Sequence, residues 1–266
     1  MNRIEQRFAQ LKEQGKKALV TYIGAGDPDL DATRDLVIAF DKAGVDIMEL
    51  GVPFSDPMAD GPVNQLAAQR GLESGTTPPK LLATVAEIRI ESDIPIVLYI
   101  YYNLLHRPGI ENFIKDSAAA GVDGLLVLDL PPEESGTYES LMRANDLCAI
   151  YLIAPTTPPE RVQKIVKHGM GFIYYISREG VTGMQAKISD TIGEMTAGIR
   201  EHTDLPIAVG FGVSNPEQAA AVARDADGVV VGSAIVNQIA EHGRDPVMVE
   251  RVTAFVKSLS EAVKAQ

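Results

Sequence analysis

Eight short apolar runs, rich in β-branched residues, alternate along this chain with stretches of helical periodicity. That alternation limits the fold more than any other feature. The runs are Ala18–Ile23, Val45–Leu50, Pro95–Tyr101, Gly124–Asp129, Ala149–Ile153, Phe172–Ser177, Pro206–Gly210 and Gly228–Val231. Helical patterns fill Asp31–Ala43, Lys80–Glu91, Glu111–Ala120, Tyr138–Asn145, Pro159–His168, Thr191–His202 and Pro216–Ala223. Near-continuous apolar strands joined by helices read as parallel strands covered on their outer face. Eight evenly spaced units in about 250 residues fit a closed (β/α)8 barrel. A doubly wound open sheet is the rival, but it rarely needs eight such units. An extra helix, Arg3–Glu13, is expected before the first strand, and a final one, Val247–Val263, closes the chain. No Gly/Ser or Pro-rich linker divides residues 1–266, so a single domain is expected.

Composition narrows the function. A net charge of −12 disfavours nucleic-acid and anionic-membrane surfaces. It leaves an anionic substrate open, because backbone N–H groups bind phosphate locally. The single cysteine, Cys148, excludes an intrachain disulfide and suits a reducing cytoplasm. The N-terminal MNRIEQRFAQLKEQG has no apolar signal core, and the apolar run Ile94–Tyr102 is far too short to span a bilayer. The four histidines, His106, His168, His202 and His242, show no metal-ligand spacing and read as surface residues. No dinucleotide fingerprint follows the first strand, and no Walker loop is present.

The stretch Glu49–Pro62, ELGVPFSDPMADGP, is where chemistry concentrates. A strand running to Leu50 carries Val45, Ile47 and Glu49 at alternate positions, which share a face. Its carboxylate stands at the strand's C-terminal end, where barrels keep their active sites. Unpaired buried acids are costly and tend to be functional. Asp60 follows in a Pro/Asp/Gly-rich loop able to fold back over Glu49, although Asp-Gly-Pro is also ordinary turn chemistry. One acid in an apolar setting and one in a loop supply general acid–base catalysis.

Other loops add binding character. Thr21–Pro28, TYIGAGDP, turns sharply at Gly24 and Gly26, with Tyr22 near the strand exit and Asp27 able to cap the next segment. The loops after the last two strands, Gly210–Gln218 and Val231–Val236, offer backbone N–H groups at Gly212, Gly232 and Ser233, the usual barrel phosphate cradle. Ser214-Asn215-Pro216-Glu217 reads as a helix start. Ser177–Gln185 is long, carries two glycines and suits a lid, with Thr182 able to reach a catalytic Asp. One tyrosine of each pair, Tyr101-Tyr102 and Tyr174-Tyr175, is expected to face the pocket. Gly44 and Gly121, just before two strands, read as left-handed helix ends on the opposite face.

Together these residues resemble the tryptophan synthase alpha-subunit family. The likeness is carried by ELGVPFSDPMADGP at 49–62, GDP at 26–28, YYN at 101–103, SREGVTG at 177–183 and GFGVS at 210–214, and it covers nearly the whole chain. It implies a TIM barrel and a carbon–carbon lyase of L-tryptophan biosynthesis, cleaving indole-3-glycerol phosphate to indole and glyceraldehyde 3-phosphate. It implies an α2β2 assembly with a beta subunit that carries pyridoxal phosphate and receives the indole, and no cofactor or metal in this chain. By resemblance Glu49 is the acid–base catalyst and Asp60 faces the indole ring. Thr182 is the lid threonine, and Gly183, Gly212, Gly232 and Ser233 supply phosphate-binding backbone. Tyr22, Tyr101, Tyr174 and Phe211 match pocket-wall positions, and Asp56, Pro57 and Asn103 lie toward the partner. Tyr22 stands where Phe is common, Gly24 where Thr is commoner, and the tip His106-Arg107-Pro108 varies. Indole-glycerol-phosphate synthase, a rival barrel, would want a lysine acid that no strand end offers. A degenerate barrel that only binds a partner is disfavoured by intact Glu49, Asp60 and Thr182.

Overall fold

Each of the eight apolar runs forms a strand in the computed structural model of the chain, which describes residues 1–176 and 185–266, with side chains described for 1–176 and 192–266. They are β1 Ala18–Gly24, β2 Ile47–Gly51, β3 Ile96–Ile100, β4 Gly124–Val127, β5 Cys148–Ile153, β6 Ile173–Ile176, β7 Ile207–Gly210 and β8 Gly228–Val231. Every strand pairs in parallel with the next, and β8 closes on β1 through Ala18↔Gly228 and Val20↔Val230. The architecture is a TIM (β/α)8 barrel.

Around the sheet run α1 Arg3–Glu13, α2 Leu30–Lys42, α3 Pro62–Glu73, α4 Pro78–Ile88, α5 Tyr102–His106 and α6 Ile110–Ala120. They continue with α7 Gly136–Ala144, α8 Pro159–His168, α9 Gln185–Arg200, α10 Pro216–Ala223, α11 Ser233–His242 and α12 Met248–Lys264. Three of these, α3, α5 and α11, have no counterpart in the helical periodicity of the sequence. α10 starts as its sequence implies, with Asn215 accepting from the Gln218 N–H and Pro216 in the first turn. α2 is capped by Asp29, which accepts from the Ala32 N–H, and not by Asp27.

Strand alternation sorts the core into two layers. Val20, Ile47, Val97, Leu126, Ile150 and Val230 fill the barrel interior. Leu19, Met48, Leu50, Leu98 and Leu125 pack outward against the helices. β2 begins at Ile47, so Val45 lies before the strand and is buried in the outer layer, off the face that Glu49 shares with Ile47.

The N-terminal end is closed by α1. Ile4, Phe8 and Leu11 join the interior cluster, and the Phe8 ring sits 5.6 Å from that of Phe172. Asn2 caps this helix and donates its amide N–H groups to the carbonyls of Asp123 and Asp146. Gly44 and Gly121, on the same end, have φ of +90° and +92°, left-handed values that favour glycine. A cavity of about 890 Å³ also lies there, around Arg3 and Arg89. Arg89 is spent on structure: it donates to the carbonyls of Gly121, Ser92 and Ile94 and to Asp123.

Candidate active site

Glu49 is inward-facing near the C-terminal end of β2, between its register partners Tyr22 on β1 and Val97 on β3. It is 0% exposed, and neither carboxylate oxygen has a hydrogen-bond partner among the described residues. Burial disfavours the charged form and pushes its pKa from 4.5 up to about 8. The group is therefore a carboxylic acid at neutral pH, able to give a proton and take it back.

The cavity above Glu49 has a volume of about 630 Å³ and is lined by Tyr22, Asp60, Tyr174, Gly212, Gly232 and Ser233 among others. Asp60 reaches this cavity from the loop between β2 and α3. Its Oδ1 accepts from the Tyr99 hydroxyl at 3.0 Å and its Oδ2 from the Tyr101 hydroxyl at 2.7 Å. The Tyr101 oxygen in turn accepts from the Ala59 N–H at 3.0 Å, and the Phe54 ring stacks on Tyr101 at 5.0 Å. Both phenols titrate far above their ordinary range, chiefly because they are desolvated and also because Asp60 is close. They are neutral donors to a carboxylate. A second tie anchors α3, the helix that follows this loop: Arg70 grips the buried Asp27 carboxylate with two bonds of 2.7 Å.

On the opposite wall the backbone supplies the positive character. Gly212 follows β7 with φ +63°. α11 begins at Ser233 immediately after β8, with Gly232 as its N-cap. First-turn N–H groups have no intrahelical acceptor, and the helix dipole adds partial positive charge, so this end suits an anion. Asn64 on α3 adds a polar group to the same cavity, and its Oδ1 is buried without a partner among the described residues. No group of three or more His, Cys, Asp or Glu among the described residues is placed to hold a metal ion.

A family model described as tryptophan synthase alpha chain matches residues 8–264. The chain belongs to the tryptophan synthase alpha chain family. It is similar to the tryptophan synthase alpha chain of Opitutus terrae, with 52% identity over 260 residues that cover 98% of this chain and 97% of that one. The alpha chain of Geotalea daltonii is 51% identical over 238 residues, 90% of each. Among solved structures, tryptophan synthase subunit alpha from Legionella pneumophila superposes with a TM-score of 0.92 at 36% identity, covering 100% of both chains. Tryptophan synthase from M. tuberculosis in its aminoacrylate-bound form gives 0.87 at 33% identity, covering 99% of this chain and 100% of that one.

Within this tryptophan synthase alpha-family barrel, Glu49, Asp60, Tyr22, Tyr174, Gly212, Gly232 and Ser233 line one cavity. Tyr101 reaches it through Asp60. Tyr175 and Tyr102 do not: Tyr175 is buried in the outer layer, and the Tyr102 N–H donates to Asp129. Phe211 is buried in that outer layer as well, beside the mouth. Asp56 and Asn103 are exposed on the same rim and Pro57 is half-buried. The lid residues Thr182 and Gly183 lie outside the described residues. His168 is less of a bystander than the sequence implied, since its Nδ1 lies 2.8 Å from Glu139. Tyr99 and Asn64 were missed by the sequence reading. Tyr99 had a signal: it stands in β3 two residues before Tyr101, which follows the strand in extended backbone, so the two side chains share a face.

Proposed function

We propose that this chain carries out its family's reaction, retro-aldol cleavage of indole-3-glycerol phosphate to indole and glyceraldehyde 3-phosphate, with Glu49 as proton shuttle and Asp60 as the charge that stabilises the ring. The observation that carries this reading is the unpartnered, buried, proton-bearing Glu49 on the same cavity as a tyrosine-held carboxylate and a helix N-terminus.

Cleavage needs a proton on indole C3 and loss of a proton from the 3′ hydroxyl. Glu49 gives its proton to C3, leaving a cationic indolenine. The C3–C3′ bond then breaks, its electron pair restores the indole ring, and the hydroxyl oxygen becomes the aldehyde carbonyl as Glu49 recovers the proton. The protons balance and no redox partner is needed. Asp60 offsets the positive charge on the ring while it lasts, an effect concentrated in the transition state. The phosphate rests on backbone N–H groups at Gly212, Gly232 and Ser233, with Gly183 added to them, while Thr182, the family's lid threonine, is assigned to Asp60. Tyr22, Tyr174 and Tyr101 wall the pocket, together with Phe211 at its margin.

Tryptophan synthase alpha chains work with a beta subunit that carries pyridoxal phosphate. Asp56, Pro57 and Asn103, on the rim that holds the Asp60 loop, are the proposed contacts in an α2β2 assembly. The barrel acts as one domain. Among the described residues no helix is long and apolar enough to cross a membrane. A cytoplasmic setting suits this chemistry and the lone, buried Cys148. The test is indole release from indole-3-glycerol phosphate by the purified chain, with and without a beta subunit. Absence of turnover in both arms, with a folded barrel, overturns the reading.

A further inference from the structure

We propose that Tyr99 is a positioning residue for the cleavage: it fixes the Asp60 carboxylate at the boundary between the cavity that holds Glu49 and a second cavity that adjoins it. The inference rests on the functional reading above.

Three observations support it. First, Tyr99 donates to Oδ1 of Asp60 while Tyr101 donates to Oδ2, so both carboxylate oxygens are gripped from β3 and the residue just past its end. Tyr101 continues the extended backbone one residue past β3, so a spacing of two residues puts both phenols on the same side, which is what a fork around one carboxylate requires. A single donor would leave the carboxylate free to rotate about its terminal bond. Two donors on different oxygens remove that freedom.

Second, Tyr99 borders two cavities. The Glu49 cavity of about 630 Å³ and a neighbouring one of about 790 Å³, lined by Leu128, Leu152 and Tyr151, share Ala59, Tyr99 and Ile176. Leu128, Leu152 and Ile176 make that neighbour apolar on its barrel side, a surface suited to an aromatic ring. Asp60 is thus held where a ring in one cavity meets the proton donor of the other.

Third, Tyr99 is coupled to Glu49's own surroundings. Its ring meets that of Tyr22 edge-on at 5.1 Å, and Tyr22 is Glu49's strand partner. Glu49, Tyr22, Tyr99 and Asp60 form one contiguous series across the mouth, so the two acids share a common scaffold. The phenol stays protonated throughout, since burial and the nearby carboxylate both oppose its ionisation.

The experiment compares wild type, Tyr99→Phe, Asp60→Asn and the double variant in the complex with a beta subunit, and follows amide hydrogen exchange in residues 52–61. Tyr99→Phe keeps the ring and its wall and removes only the hydroxyl. A hydrogen bond to a charged group commonly carries about 10- to 100-fold in an equilibrium or rate. The expected result is a fall of about tenfold or more in kcat with KM changed less than about threefold, and faster exchange in the loop. In the Asp60→Asn background, Tyr99→Phe is expected to cost less than about twofold more, because its effect runs through Asp60. Full multiplication of the two losses, or an unchanged kcat in Tyr99→Phe, overturns the proposal. If the wild-type complex releases no indole, the functional reading fails, and loop exchange alone decides for Tyr99: unchanged exchange in Tyr99→Phe overturns its positioning role.

Discussion

The Tyr22 hydroxyl occupies the space where a side chain at Gly51 would begin: a Cβ built on Gly51 meets that oxygen at 2.2 Å. Tyr22 comes from β1 and Gly51 ends β2, two residues beyond Glu49. Glycine here makes room for a phenol to lie across the strand end beside Glu49. Gly51→Ala is therefore expected to push Tyr22 aside and lower kcat/KM by about 10- to 100-fold, the scale that small misplacements cost in a tight site. Gly51 has no left-handed φ, so the barrel itself is expected to fold. Steady-state kinetics and a thermal melt on the same sample check both halves of the expectation.

Glu49→Gln separates activity from stability. Losing the proton shuttle is expected to lower kcat by about two to four orders of magnitude while substrate still binds. Stability moves the other way. The wild-type acid holds its proton up to about pH 8 when folded but gives it up near 4.5 when unfolded. Between those values the native state binds the extra proton, so wild-type stability is full below pH 4.5 and falls as pH rises toward 8. The fall amounts to up to about 5 kcal/mol. Glu49→Gln carries no such titration and is expected to be the more stable protein at pH 8 and above. Urea titrations at pH 5 and pH 8.5 on both proteins read this difference; equal losses of stability in the two proteins would contradict it.

Phosphate affinity is expected to depend on backbone rather than on a charged side chain. Gly212 combines a φ of +63° with an exposed place on the cavity rim. Gly212→Leu fills the cradle and strains the loop, since a left-handed residue with a side chain costs about 1–2 kcal/mol. The expected outcome is a raised KM and a raised Kd for glycerol phosphate, by about tenfold or more, with a smaller change in kcat. Calorimetric titration with glycerol phosphate measures the binding half directly.

Partner activation is the fourth expectation. The loop that carries Asp60 also exposes Asp56 and Met58, the latter 89% exposed. A beta subunit docked there acts on the same segment that the two tyrosines hold. Adding beta subunit is expected to raise the alpha-reaction rate several-fold, within the usual 1–3 kcal/mol of coupling. Asp56→Ala is expected to weaken that activation while the isolated barrel keeps its circular dichroism and melting point. Sedimentation of the mixed chains, together with the rate, tests it.

The barrel was legible because its signal repeats. All eight strands are short, apolar and evenly spaced, and none is out of place by more than a few residues. α3 and α11 were not legible, for different reasons. α3 buries only Ala67 and Gly71, so it shows almost no apolar stripe. α11 starts on Gly-Ser, which reads as loop until β8 is seen to run directly into it. Yet both matter to the site, one carrying Arg70 and Asn64 and the other the anion-facing helix end. Asp27 illustrates a further limit. Its position after Gly26 suggests a cap, but its partner Arg70 is 43 residues away, and no local pattern announces a pair at that distance. Glu49 was legible because an acid ending an apolar strand breaks the expected pattern, whereas Tyr99 obeys it and passes as packing.

The helix that plugs the far end sets the direction of traffic. Ile4, Phe8 and Leu11 stopper the N-terminal end of the interior, opposite the end where Glu49 and Asp60 meet. Asp60 and its loop therefore border the open end of the Glu49 cavity, not its plugged end. A subunit that receives a small apolar product is expected to wait on that side, where Asp60 stands near the door.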